Sequence, residues 1–191
     1  MKKKKSFKKN SLNIIGGKFK RKKINIKHSN ELRPTKNFIR ETLFNWLKKY
    51  IYNSKCLDCF SGSGILGIES ISRNAKLVTA LEINKKHVQY IKKNLKKLKI
   101  KKMKVIHANT VKWLYKKKFQ YDIIFLDPPY NNNYLLKKSI FLLEKKKWIK
   151  KNGIIYIEKK RNKKKIIIPK NWIIKKKKKT KKIEYKIYLK K

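Results

Sequence analysis

The chain has 191 residues, with 58 Lys and Arg against 10 Asp and Glu, and a formal charge of +48 at pH 7. That length suits one domain with its own core and argues against two. No apolar run approaches the roughly 20 residues of a membrane-spanning helix. The basic start at Met1–Lys5 is followed by no apolar signal segment, so a soluble, cytoplasmic protein is expected.

The basic residues comprise 53 lysines and only 5 arginines, beside heavy use of Ile and Asn. An A/T-rich coding bias puts lysine at every tolerant surface position. A polyanion partner is the functional counterpart, since lysines that displace phosphate counterions drive sequence-independent binding. The two accounts are compatible, so charge alone supports nucleic acid only weakly. The acids are scarce, 3 Asp and 7 Glu, and so say more. Asp58, Glu82 and Asp127 each fall at or near the end of a predicted apolar strand, where open α/β sheets bind ligands. Cys56 and Cys59 form a lone C-x-x-C inside a strand, which reads as two buried, reduced thiols rather than a metal or redox pair.

Residues 1–11 read as a basic, disordered arm. Two short strands follow around Gly16-Gly17, a small hairpin carrying Lys18, Lys20, Arg21, Lys22 and Lys23, suited either to a plain turn or to a grip on RNA. Leu32-Arg33-Pro34-Thr35 is a loop whose Thr35 is placed to cap a helix over 36–50. Phe38, Ile39, Leu43, Trp46 and Leu47 have helical spacing there. Arg40 and Glu41 fall among them, either on an exposed face or at the edge of a site. From residue 55 the pattern alternates. Strands are predicted at 55–60, 77–83, 103–107, 121–126 and 154–158, with helices at 65–73, 85–99, around Val111–Leu114, and 134–147. Residues 166–168, 171–174 and 183–189 suggest more strand, ending in an edge hairpin interrupted by Lys175–Lys179. The alternation implies an α/β fold with a mostly parallel sheet and helices on both faces. No linker marks a second domain, so residues 12–191 are expected to form one, with 12–35 as hairpin and loop and 36–191 as core.

Asp58-x-x-x-Gly62-x-Gly64 joins a strand to a helix by a glycine turn, the context in which such a turn admits a ligand. Glu82 lies about 20 residues further on, at the next strand's end, where an acid can accept from both hydroxyls of a ribose. Its alternative is a surface pair with Lys85. Gly62, Gly64 and Gly67 do not by spacing alone exclude a dinucleotide. Asp127-Pro128-Pro129-Tyr130 does, because hydride transfer has no use for it.

That tetrapeptide suits methylation of an exocyclic base amine. The nitrogen lone pair is delocalised into the ring and is a poor nucleophile. The Asp127 carboxylate and the Pro128 carbonyl can accept its two N–H bonds, and Tyr130 can stack on a base taken out of its helix. The prolines fix the backbone and add no competing N–H. Catalysis is then positioning and electrostatics, with no metal required. His28, His87 and His107 do not cluster with the motif.

With Asp58-Cys59-Phe60-Ser61-Gly62-Ser63-Gly64 upstream, the tetrapeptide resembles those of class I S-adenosylmethionine-dependent methyltransferases. Ile14-Ile15-Gly16-Gly17, Leu32-Arg33-Pro34-Thr35 and Arg40-Glu41-Thr42-Leu43-Phe44-Asn45-Trp46-Leu47 narrow the resemblance to the RsmD family, over residues 12–189. The resemblance implies a Rossmann-like sheet of seven strands and S-adenosylmethionine as donor. It also implies methylation of N2 of guanine 966 in 16S rRNA, within the small ribosomal subunit or an assembly intermediate, by a monomer. Carried over, Asp58, Gly62 and Gly64 would line the cofactor's methionine end, Glu82 its ribose and Asn109 its adenine, where many relatives have an acid, with Phe60 a further cofactor contact. Asp127, Pro128, Pro129 and Tyr130 would hold the target amine, and Lys18, Lys20, Arg21, Arg33, Thr35 and Arg40 are the candidate RNA contacts. Three alternatives stand beside this: adenine-N6 methylation of DNA, glutamine-N5 methylation of protein, and a non-catalytic RNA-binding assembly protein.

Overall fold

The computed structural model describes residues 11–26, 35–116, 119–129, 132–161 and 166–191. Tyr130, Arg33, His28 and the arm at 1–10 lie outside the described residues.

The N-terminal hairpin pairs β1 (Ser11–Asn13) with β2 (Lys23–Asn25) antiparallel, with one turn of 3₁₀ helix at Gly17–Phe19 between them. Helix α1 (Asn37–Trp46) follows. The core then alternates β3 (Lys55–Asp58), α2 (Ile65–Ser72), β4 (Leu77–Glu82), α3 (Lys85–Lys97), β5 (Met103–His107), α4 (Thr110–Leu114), β6 (Tyr121–Leu126) and α5 (Asn133–Lys145). It ends in three strands, β7 (Ile149–Lys160), β8 (Trp172–Lys179) and β9 (Ile183–Lys190). The seven-stranded sheet has the order β5-β4-β3-β6-β7-β9-β8. Strands β3 to β7 run parallel and β9 is antiparallel to both its neighbours.

Strand β6 shows why the sheet reads as a continuous apolar run. Ile123 and Phe125 pack into one core with α1, α2, α3 and the hairpin, while Ile124 and Leu126 pack into a second with α4 and α5. A strand covered on both faces needs apolar residues at every position. Helix α3 instead has one apolar stripe, Val88, Ile91 and Leu95, under a lysine-covered outer face.

Two segments differ from the sequence expectation. Strand β7 begins at Ile149, before Gly153, because the register with β6 jumps from Tyr121↔Ile149 to Ile123↔Ile154 and Asn152 takes a positive φ of 61°. Lys175–Lys179 do not interrupt the edge hairpin. They are the second half of β8 and exposed, and after a register shift at Lys175, Lys176–Lys179 pair by their backbone with β9. Residues 166–168 form no strand.

The hairpin is bolted to the core rather than appended to it. Glu69 on α2 is fully buried and accepts from the Ile15 N–H at 2.7 Å and from Arg40 Nη1 at 2.8 Å, and it also pairs with Arg73. Arg40 in turn donates to the Asn13 carbonyl at 3.0 Å. Ser72 accepts from the Phe19 N–H at 2.9 Å and donates to the Gly16 carbonyl at 2.5 Å. Gly17 has a φ of +73°, and a Cβ there would run into the Ser72 carbonyl. The glycine pair is therefore a contact surface for α2 as well as a turn.

Candidate functional site

Strand order reverses at β3, which has β4 on one side and β6 on the other. Their C-terminal ends carry Asp58, Glu82 and Asp127, so the three acids singled out in the sequence converge at the switch point. The paired register of Asp58 with Phe125 on one side and Ala80 on the other makes them neighbours.

Asp58 is buried, and burial pushes its carboxyl up to about 7, with Glu82 nearby adding to the rise and backbone N–H groups of Phe60 and Gly67 opposing it. Its Oδ2 has no hydrogen-bond partner among the described residues. An orphaned buried carboxylate oxygen is expensive unless a ligand supplies the missing donor, and an ammonium group would do so. The turn that follows is set by backbone conformation. Gly62 and Gly64 have φ of +52° and +77°, and a Cβ on Gly64 would sit 2.9 Å from the Ile91 side chain. The turn delivers the chain straight into α2.

Glu82 does not pair with Lys85. Its Oε2 accepts from the Gly62 N–H at 2.8 Å and its Oε1 from the Asn84 N–H at 2.8 Å, with His87 Nδ1 3.6 Å away. It thus anchors the glycine turn to the end of β4, and each oxygen keeps a second lone pair for a ribose hydroxyl. Asn109 caps α4, its Oδ1 accepting from the Lys112 N–H at 3.1 Å, which leaves its NH₂ as a donor. Phe60 is half-buried beside these groups. Each of these residues fits a nucleoside carrying an ammonium group. His107 bonds the Ile83 carbonyl at 2.8 Å, a strand-end contact.

Asp127 follows β6 directly. Thr35 Oγ1 donates to its Oδ2 at 3.1 Å. Its carboxyl is held well above the usual carboxylate range, first by burial, then by Glu158, with Asp58 adding to the rise and the Thr35 hydrogen bond opposing it. Pro128 is buried and Pro129 exposed. A shallow depression beside them is bordered by Asn132, Leu136, Lys159 and Lys160.

Two residues stand elsewhere than the sequence suggested, and a third was not singled out. Arg40 is not an RNA contact: it is fully buried and its guanidinium is committed to Glu69, Asn13 and Asn37. Thr35 does not cap α1, whose N-cap is Lys36 without a side-chain bond; its hydroxyl turns to Asp127 instead. Glu158, at the end of β7, escaped notice although it meets the criterion that found the other acids, a carboxylate closing an apolar strand. Lys18, Lys20 and Arg21 are exposed on the hairpin, and Lys18 and Lys22 flank the Phe19 ring at 6.0 and 5.4 Å. Cys56 and Cys59 are buried free thiols, and burial raises Cys56 to about 12. Among the described residues no three His, Cys, Asp or Glu gather as a metal site, and no helix is long and apolar enough to cross a membrane.

The sheet order and the acids at its switch point define a class I methyltransferase fold. A solved structure, yhhF from Escherichia coli, superposes with a TM-score of 0.89 at 35% identity, covering 95% of this chain and 99% of that one. The model of the family described as Conserved hypothetical protein 95 matches residues 12–189, and the chain belongs to this family, the RsmD family. Ribosomal RNA small subunit methyltransferase D of Buchnera aphidicola subsp. Acyrthosiphon pisum is 57% identical over 127 residues, 65% of this chain and 66% of that relative. The protein of the same description from Escherichia coli K12 is 42% identical over 119 residues, 62% of this chain and 60% of the relative. The matched stretches thus span just under two thirds of these curated relatives' own length.

Proposed function

We propose that the protein methylates the exocyclic N2 amine of a guanine in 16S rRNA, guanine 966 by its family, with S-adenosylmethionine as donor. The carrying observation is that two carboxylates stand on adjacent strand ends at the switch point, Asp58 with an unpartnered oxygen and Asp127, two residues beyond its register partner Phe125, next to Pro128. The donor supplies an activated methyl group on a sulfonium and carries an ammonium group on its methionine end. Asp58 Oδ2 would take that ammonium, Gly62 and Gly64 would let the backbone approach, Glu82 would accept from the ribose, and the Asn109 amide would serve the adenine.

On the other side of the switch point, Asp127 and the Pro128 carbonyl accept the two N–H bonds of the target amine. This draws the nitrogen toward tetrahedral geometry and frees its lone pair. The carboxylate must be ionised to accept, so the rate has an acid limb that follows Asp127. Burial of the carboxylate strengthens its hold on the amine as charge develops there. Tyr130 supplies the stacking face. The exposed Lys18, Lys20 and Arg21 of the hairpin, with Arg33, meet RNA phosphates, and the bolting of the hairpin to α2 keeps that grip in fixed register with Asp127. The working form is a cytoplasmic monomer on the small subunit or its assembly intermediate.

The test is transfer of labelled methyl groups to small subunits lacking the modification, with duplex DNA and a glutamine peptide offered in parallel. Label at one guanine of 16S rRNA that disappears with Asp127→Ala, while cofactor binding persists, supports the reading. Label only in DNA or peptide, or none with folded protein that binds the cofactor, overturns it.

A further inference from the structure

Asp127 is gripped from two sides by residues that lie outside the tetrapeptide. On one side stands Thr35, nearly buried, whose hydroxyl donates to Oδ2 at 3.1 Å from 92 residues away in sequence. On the other stands Glu158. The parallel register pairs Leu126 of β6 with Ile157 of β7, so the next residue on each strand, Asp127 and Glu158, are neighbours. In-register positions of parallel strands project to the same face of the sheet. Glu158 is fully buried, and the Tyr156 hydroxyl donates to its Oε2 at 2.7 Å.

We propose that Thr35 and Glu158 are positioning residues that act on the reaction through Asp127, Thr35 as the donor that orients its carboxylate and Glu158 as the opposing acid. The inference rests on the reading of Asp127 as the acceptor of the target amine. Thr35 occupies one oxygen and stops the carboxylate from rotating, so Oδ1 is the atom turned to the amine. It also favours the charged form, because a hydrogen bond to a carboxylate stabilises the anion. Glu158 acts in the other sense, since two carboxylates side by side resist ionising together. Asp58, at the end of β3, adds to that resistance, and Asp127 forms no ion pair among the described residues. The nearby Lys159 is engaged with Glu184 at 3.3 Å. Thr35 and Glu158 thereby shift the acid limb of the reaction in opposite directions.

Three variants of the full chain test this: Thr35→Val, Thr35→Ser and Glu158→Gln, each checked for folding by its thermal transition. Thr35→Val is expected to lower kcat by roughly 10-fold or more at neutral pH, as loss of a charge-assisted hydrogen bond does. Its KM for the donor should stay unchanged, and its acid limb should move to higher pH. Thr35→Ser keeps the hydroxyl and restores both. Glu158→Gln keeps an acceptor for Tyr156, removes the charge and moves the acid limb to lower pH. The carboxyl-carbon NMR titration of Asp127 in the free protein reads the same shifts without any turnover. Opposite displacements in the two variants support the proposal. Displacements of the same sign, or none, overturn it. Absence of methyl transfer by the wild type would instead overturn the reading of the reaction, and the NMR titration distinguishes the two failures.

Discussion

Replacing Asp58 with asparagine is expected to stabilise the protein at pH 8 while abolishing its capacity to hold the cofactor. The Asp58 carboxyl titrates at about 7 in the folded protein against 3.8 for an ordinary aspartate. Below about pH 4 both folded and unfolded chains are protonated there, and the full stability is present. As pH rises, the unfolded chain ionises first, and the folded state loses that advantage progressively until about pH 7. At 1.36 kcal/mol per unit, ionised Asp58 therefore costs the fold about 4 kcal/mol at pH 8. The amide carries no such charge, but its NH₂ sits where Oδ2 now lacks a partner, an unsatisfied donor costing about 1–3 kcal/mol. The net gain at pH 8 is on the order of 1–3 kcal/mol, and it shrinks or reverses at pH 5. Urea denaturation of the ligand-free wild type and variant at both pH values measures this, with calorimetry of S-adenosylmethionine binding alongside. The reasoning is refuted if the stability difference between the two proteins is the same at both pH values, or if the variant binds the cofactor as the wild type does.

Gly17→Ala should lower stability by about 2 kcal/mol or more, because φ is +73° and the new Cβ meets the Ser72 carbonyl; a lower urea midpoint with an unchanged slope is the readout. Arg40→Met leaves Glu69 buried with only part of its partnership, and should cost on the order of 3 kcal/mol by the same measurement. The folded fraction of that variant should bind RNA with the wild-type salt dependence, because a buried guanidinium neutralises no phosphate.

The parts of the fold that were legible in the chain are those whose information is local. Met103–His107 and Tyr121–Leu126 appear as strands with the expected bounds, the first from the alternation of Met103 and Val105 with exposed Lys104, the second from the apolar run Ile123–Leu126 that a doubly covered strand leaves. Asp58, Glu82 and Asp127 were legible because acids are scarce in this chain and each closes a strand. What escaped depends on contacts distant in sequence. Arg40 meets Glu69 across 29 residues, and Thr35 meets Asp127 across 92, so a charged residue on a helix and a threonine before one looked like surface and cap. Lys175–Lys179 have neither alternation nor β propensity; they are strand because β9 offers Lys176–Lys179 a backbone partner. Glu158 meets the same rule, a carboxylate closing a predicted apolar strand, but what it faces depends on the strand order, which the sequence does not state. In the structure that strand is β6's neighbour, and the edge lies two strands further out.

One edge of the sheet belongs to β8, whose far side has no partner strand among the described residues. An unpaired edge is a template on which a second copy can add its own strand and begin an aggregate. Here five successive exposed lysines, Lys175 to Lys179, flank that rim on both faces of the sheet. Strands in a ladder lie about 4.8 Å apart, well inside the Debye length of about 8 Å at physiological salt, so two such rims repel at pairing distance with little screening. Lysine at this rim thus opposes growth of the sheet on the β8 side.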